Sequence, residues 1–210
     1  MSPTVEAPSR RATRRSSGDR QQEIVLTVLA LAQARGVEAI TTQAIAEHMG
    51  LTQGAVFRHF PNKEAIWAAV LDWLQGRLGE VFQPVPGASP LAEVTRIFGA
   101  YLALFAAYPA VPRLFFSDTF HHPYPRLHAR LQAMVQDCEG RLAQWLAEAA
   151  ALGEVRADLP APAAAKLLLT CIQGLAFQSC VLGIVADPPA AGRRLFPLYL
   201  AAIGAAKEKP

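Results

Sequence analysis

The sequence has little cysteine: Cys138, Cys171 and Cys180 are the only three in 210 residues. So sparse and odd a set builds no disulfide framework and points to a reducing, cytosolic setting. Charge is also scarce, at 18% against 52% hydrophobic residues, which excludes a wholly disordered chain. The sequence contains no Gly-rich phosphate loop, no nucleophile elbow and no paired carboxylates with a plausible cleft, so no enzyme and no cofactor are expected. Ser117-Asp118 beside His121 and His122 is the nearest thing to a triad, and chance explains it better. Compact C-x-x-C and H-x-x-x-H motifs are missing too. Asp118, His121, His122, His128 and Cys138 come closest to a metal set, but His128 and Cys138 lie nearly three helical turns apart, too far for one ion. The expectation is no metal site. Convincing period-two alternation is also lacking, so the chain reads as all-α.

The positive charge that is present is unevenly placed. Residues 1–63 carry eight Lys and Arg against five Asp and Glu, whereas residues 64–210 carry twelve of each. A polyanion would therefore dock on the first third. Residues 1–17, rich in Ser, Pro, Thr and Arg, read as a disordered basic arm. Its arginine pairs do not make a signal peptide, because the polar stretch Ser16 to Glu23 separates them from the next apolar run. The uncharged run 167–186 has the length of a membrane span. Interspersed Thr170, Gln173, Gln178 and Ser179, with no flanking aromatic belt, favour a helix buried by protein on all sides, one of them a second subunit. A membrane-associated helical protein anchored through 167–186 is the alternative.

Helix signals follow one another along the chain. Asp19 with Gln22 forms a capping box for a first helix that Gly36 ends. Thr41 caps a short helix to about Met49, Gly50-Leu51-Thr52 turns, and a second short helix covers Gln53 to His59. Asn62 caps a long helix to about Phe82. The hinge 84–90 separates two zones, with Ser89 and Pro90 opening the next helix, to about Tyr108. A short helix is predicted to end near His121, and the longest helix runs from Pro125 to Gly153. The uncharged helix follows Pro160 and Pro162. The last helix begins at Asp187-Pro188 and is predicted to kink at Pro197.

Residues 41–60 set two short helices around a Gly-containing turn, which is helix-turn-helix architecture. Ile45, Ala46, Met49, Val56 and Phe60 are expected inward, leaving Gln53, Gly54, Ala55 and Arg58 outward. A helix for the major groove needs small or polar residues at its N-terminal end so that its backbone approaches base edges. Gly54 and Ala55 are small, and Gln53 reaches an adenine edge. The helix starts at Thr42 and Thr52 offer N–H groups and hydroxyls to phosphates, and Lys63 meets another.

The pattern Gly36…Thr42-x-x-Ile45-Ala46-x-x-x-Gly50-x-x-x-Gly54-x-Val56-Phe57-x-His59-Phe60-x-x-Lys63 closely resembles the DNA-binding domain of TetR-family transcriptional regulators. The resemblance implies three DNA-binding helices, then about six helices that bind a ligand and dimerise. It assigns residues 18–63 to a DNA-binding domain and 64–210 to a ligand-binding and dimerisation domain. It also implies phosphate contacts from Thr42, His59 and Lys63 and base contacts from Gln43 and Gln53. Phe57 stands where the family usually has tyrosine, so the phosphate-binding hydroxyl is lost and only packing against the DNA backbone is left.

An apolar, aromatic-rich set on the middle helices supplies the pocket candidates: Phe98, Tyr101, Phe105, Phe115, Phe116, Phe120, Met134, Cys138 and Phe177. Trp67 on the connecting helix lies within reach of the pocket floor. Such a lining suits a hydrophobic, possibly aromatic, effector. The reading is therefore a cytoplasmic homodimeric regulator, a repressor by family habit. It would bind a palindromic double-stranded DNA operator through two reading helices about one DNA turn apart.

Overall fold

The computed structural model describes residues 17–117 and 123–205, and nine α-helices with no strand are found among them. The arm 1–17, except Ser17, lies outside the described residues, as do Asp118, Phe120, His121 and His122.

Helices α1 (Ser17–Arg35), α2 (Thr42–Met49) and α3 (Gln53–His59) form a small N-terminal cluster, with α2 and α3 packed on α1. Helix α1 covers Asp19, which sits in its first turn rather than at its cap. Ile24, Val28, Ile45 and Val56 are fully buried between these helices. Thr41 caps α2 by accepting from Ala44 N at 3.0 Å. Gly50 closes α2 in the left-handed conformation, at φ 63°, which lets its own N–H and that of Leu51 turn back onto the Glu47 and Ala46 carbonyls. A side chain with a Cβ disfavours that conformation, so glycine is needed there.

Helix α4 (Lys63–Val81) starts where Asn62 accepts from Ala65 N at 2.8 Å. It runs from α1 into the larger C-terminal body. That body contains α5 (Pro90–Ala107), α6 (Ala110–Phe115), α7 (Pro125–Ala151), α8 (Ala161–Cys180) and α9 (Pro188–Ala202). Helices α7 and α8 pack most extensively, α5 lies against α4, α7, α8 and α9, and α6 sits between α1 and α8. One core is continuous from Ile24 to Ile203. Contact between α5 and α9 is close at Gly192, where a Cβ would stand 2.3 Å from Leu102 Cδ1.

Two helices, α5 and α8, are long and apolar enough by length and composition to cross a membrane. The run 167–186 is nevertheless not one helix. It ends at Cys180, and residues 181–187 are irregular, with Gly183 at φ 68°. Fourteen residues of the run are helical, and the rest of α8 is the segment Ala161 to Lys166 ahead of it. Within the single chain, Ala165, Leu168, Ile172 and Ala176 of α8 face the body, while Leu167 and Thr170 are exposed on its other side. Pro197 does lie inside α9.

The hinge between α4 and α5 is held by one carboxylate. Glu93 is buried, accepts from Val85 N at 2.5 Å and pairs with Arg96 at 2.7 Å. Arg96 in turn donates to the carbonyls of Val81 and Gln83, both at 2.9 Å. Burial pushes the Glu93 carboxyl up, but the Val85 N–H and Arg96 together outweigh it and hold the group below its usual range. Because the folded-state value is the lower one, this stabilisation is complete above the ordinary glutamate range and is lost as pH falls through the depressed value. Glu93→Ala leaves the Val85 N–H unsatisfied and should cost about 1–3 kcal/mol. Urea denaturation at neutral pH measures this, and the gap between variant and parent should close in acid.

Candidate nucleic-acid interface

The outward face of α2 and α3 collects the residues with DNA-reading chemistry. Gln53 and Gly54, at the start of α3, are exposed, and Ala55 is half-buried behind them. Thr52 caps α3 by accepting from Ala55 N at 3.2 Å, which leaves its hydroxyl proton free to donate outward. Gln53 Nε2 donates to Thr42 Oγ1 at 2.8 Å, a contact that ties the starts of the two helices together. Eleven residues separate the pair, and sequence spacing alone does not reveal the contact. It orients the Gln53 amide while leaving its oxygen and one N–H for an adenine edge. Gln43, exposed on α2, donates to Glu47 Oε1 at 2.8 Å.

Further along α3, Arg58 is exposed and His59 is half-buried, with its carbonyl accepting from Gln21 of α1. Phe57 is 44% exposed on the same face. Lys63 lies half-buried, its ammonium 5.8 Å from the centre of the Trp67 ring. Burial lowers its pKa below the usual lysine value, and Glu38 partly offsets the effect. Ile45, Ala46, Val56 and Phe60 are buried beneath this face, as expected of the residues that hold it, and Met49 is half-buried against them.

Two mechanical links join this head to the rest of the chain. One is α4, whose Ile66, Trp67 and Val70 belong to the same core as α1. The other has no signature in the sequence. Arg113 of α6 donates to the Gln33 carbonyl at 3.0 Å and to the Cys180 carbonyl at 2.5 Å, so one guanidinium holds the C-terminal turn of α1 and the last residue of α8.

The expected pocket residues are dispersed. Trp67, Phe98, Tyr101 and Phe105 are buried core. Phe98 stacks on Phe196 with ring centres 4.5 Å apart, and Tyr101 meets Phe105 edge-on at 5.0 Å. Phe115 is half-buried, and the half-exposed Phe116 meets Phe177 at 4.9 Å. Met134 and Cys138 line a cleft of about 500 Å³ between α4 and α7 with Leu78, Gly79, Phe82, Arg130 and Arg141. Burial pushes the Cys138 thiol up to about 11, and it lies against the Tyr101 hydroxyl. A second groove of about 410 Å³, between α5 and α9, includes Phe98. Met134 and Cys138 are expected at a pocket, but Arg130 and Arg141 are not, because they sit on what reads as the solvated face of a long amphipathic helix.

Comparison with known proteins agrees with this architecture. The family model described as bacterial regulatory proteins, tetR family, matches residues 24–70. The nucleoid occlusion factor SlmA of Marinomonas sp. is 23% identical over 160 residues, which cover 74% of this chain and 80% of that protein. A TetR transcription regulator from Haloarcula marismortui superposes with a TM-score of 0.76 at 21% identity, covering 89% of this chain and 98% of the other. The regulator FadR from Bacillus subtilis, solved in complex with stearoyl-CoA, gives a TM-score of 0.71 at 16% identity, covering 87% and 98%. The N-terminal helices thus match the family model of bacterial regulatory proteins, tetR family, over residues 24–70, and the whole helical body shares the fold of these solved regulators.

Proposed function

We propose that the chain is a ligand-responsive, DNA-binding transcriptional regulator of the cytoplasm, a repressor that a small molecule releases from a palindromic operator. The observation that carries this reading is the exposed start of α3, where Gln53 and Gly54 stand clear of the surface with Gln53 braced by Thr42. A recognition helix needs that combination of a small residue for close approach and an oriented amide for a base edge. Thr42, Gln43, Thr52, Gln53, Gly54 and Ala55 would make the central contacts. Phe57, Arg58, His59 and Lys63 would lie along the backbone, with the basic arm adding charge. The DNA-binding unit is 18–63 and the effector and dimerisation unit is 64–210.

A second copy of the chain fits the apolar surface of α8 and α9. Leu167, Val181, Leu195 and Leu198 are exposed there, Leu198 by 68%. Burying such a patch in a two-fold interface would place two α3 helices on successive major grooves. Effector binding in the C-terminal body would shift α4, and Arg113 would carry the same displacement to α1. The effector must favour the non-binding arrangement by several kcal/mol to empty the operator.

Fluorescence anisotropy on DNA flanking the protein's own gene, over a salt series, tests the reading. Gln53→Ala should lose about 1–3 kcal/mol of specific binding, whereas Lys63→Ala should weaken all sequences alike and lower the salt slope by about one. Binding that is indifferent to sequence and to both changes would refute it. Leu198→Asp should convert the dimer to monomer in sedimentation and abolish operator binding while leaving helical content intact.

A further inference from the structure

We propose that the cleft between α4 and α7 binds an amphipathic monocarboxylate, with its acid group on Arg141 and its apolar body over Leu78, Phe82 and Met134. The proposal deepens the effector reading above and rests on it only for the consequence at the operator.

The geometry of the two helices makes the cleft. Arg130 reaches Asp72 and Gln75 on α4, and Arg141 reaches the Phe82 carbonyl at 2.6 Å, so α4 and α7 run in the same direction. Eleven residues of α7 separate these contacts, roughly 16 Å along the axis, and both arginines fall on nearly the same face. Between them Leu78, Ala133 and Met134 give the wall an apolar stretch beside Gln75 and Asp137, and the α4 side is opened by Gly79, where a Cβ would meet nothing within 4 Å. The volume of about 500 Å³ falls in the ordinary range for a small-molecule site.

The two ends differ in charge. Arg130 is neutralised by Asp72. Arg141 is not: among the described residues no carboxylate forms an ion pair with it. Its guanidinium lies over the Phe82 ring at 4.8 Å and the Trp145 ring at 5.9 Å, which holds it in place. One of its five donors goes to Phe82, and the others remain for a planar acceptor. A carboxylate matches that fork, and the aromatic surroundings suit the chain or ring attached to it. Asp137, one turn earlier on α7, is exposed and lines the same cleft, so a cationic ligand is the contrary outcome to test. A ligand held here would touch Leu78, Gly79 and Phe82 at the end of α4 whose other end begins the DNA head.

Isothermal titration of the full-length protein, without DNA, reads the site directly. The probes are decanoate, decanol and decyltrimethylammonium, each below its micelle concentration. Decanoate should bind at least about tenfold tighter than decanol, the worth of one charge-assisted pairing. Arg141→Gln should erase that preference and leave decanol affinity within about twofold, since only the charged contact is removed. Gly79→Leu fills the cleft from the open side and replaces a helix glycine with a better helix former, so it should stay folded and lose both decanoate and decanol. Thermal melts followed by circular dichroism verify folding of both variants. Equal affinity for decanoate and decanol, a preference for the cation, or a carboxylate preference that survives Arg141→Gln would each overturn the proposal. Selective decanoate binding without release of operator DNA would keep the site and refute only its role as effector site.

Discussion

Everything in the molecule depends on the continuity of α4. Its first turn is capped by Asn62 within the DNA head, its middle buries Trp67 and Val70 against α1, and its last turns bury Leu74 and Leu78 in the C-terminal body. A single rigid helix shared by two cores cannot shift at one end without moving the other, because packed interiors deform little. The side chains that α4 buries against α1 belong to the same core as those it buries in the C-terminal body.

Arginines on helix ends recur around this helix. Arg96 and Arg141 both donate to carbonyls at the end of α4, and Arg113 donates to the ends of α1 and α8. Each places a cation where the helix dipole is negative and satisfies carbonyls that no helix can bond internally. Arg96 has Glu93 as its counter-ion, which makes the hinge a closed unit. Arg113 joins three helices through carbonyls. Arg141 faces a cleft, so its remaining donors point to what enters from outside.

Local features of the head are legible because its chemistry is local. Thr41, Gly50, Thr52 and Asn62 cap helices within three or four residues of themselves, so the caps and the turn read directly from spacing. Ile45, Ala46, Val56 and Phe60 follow the helical period and are buried as that period requires. The C-terminal half is less transparent. Its aromatic residues look alike in sequence whether they pack on each other, as Phe98 does on Phe196, or border a cleft, as Phe82 does. The run 167–186 illustrates the same limit. Composition shows an unbroken uncharged stretch, but Gly183 adopts a positive φ in the irregular segment that follows Cys180.

Residue order alone is enough to show that the chain is helical, where most helices begin and end, which residues form the core of the head, and that positive charge gathers there. These follow from contacts a few residues apart and from periodicity. Helix packing alone fixes that Thr42 and Gln53 meet, that Arg113 binds α1 and α8 together, and that Arg141, with no carboxylate ion-paired to it among the described residues, lies over Phe82. The reason is physical: hydrogen bonds across 11, 59, 67 or 80 residues depend on how whole helices pack, and no local rule carries that information.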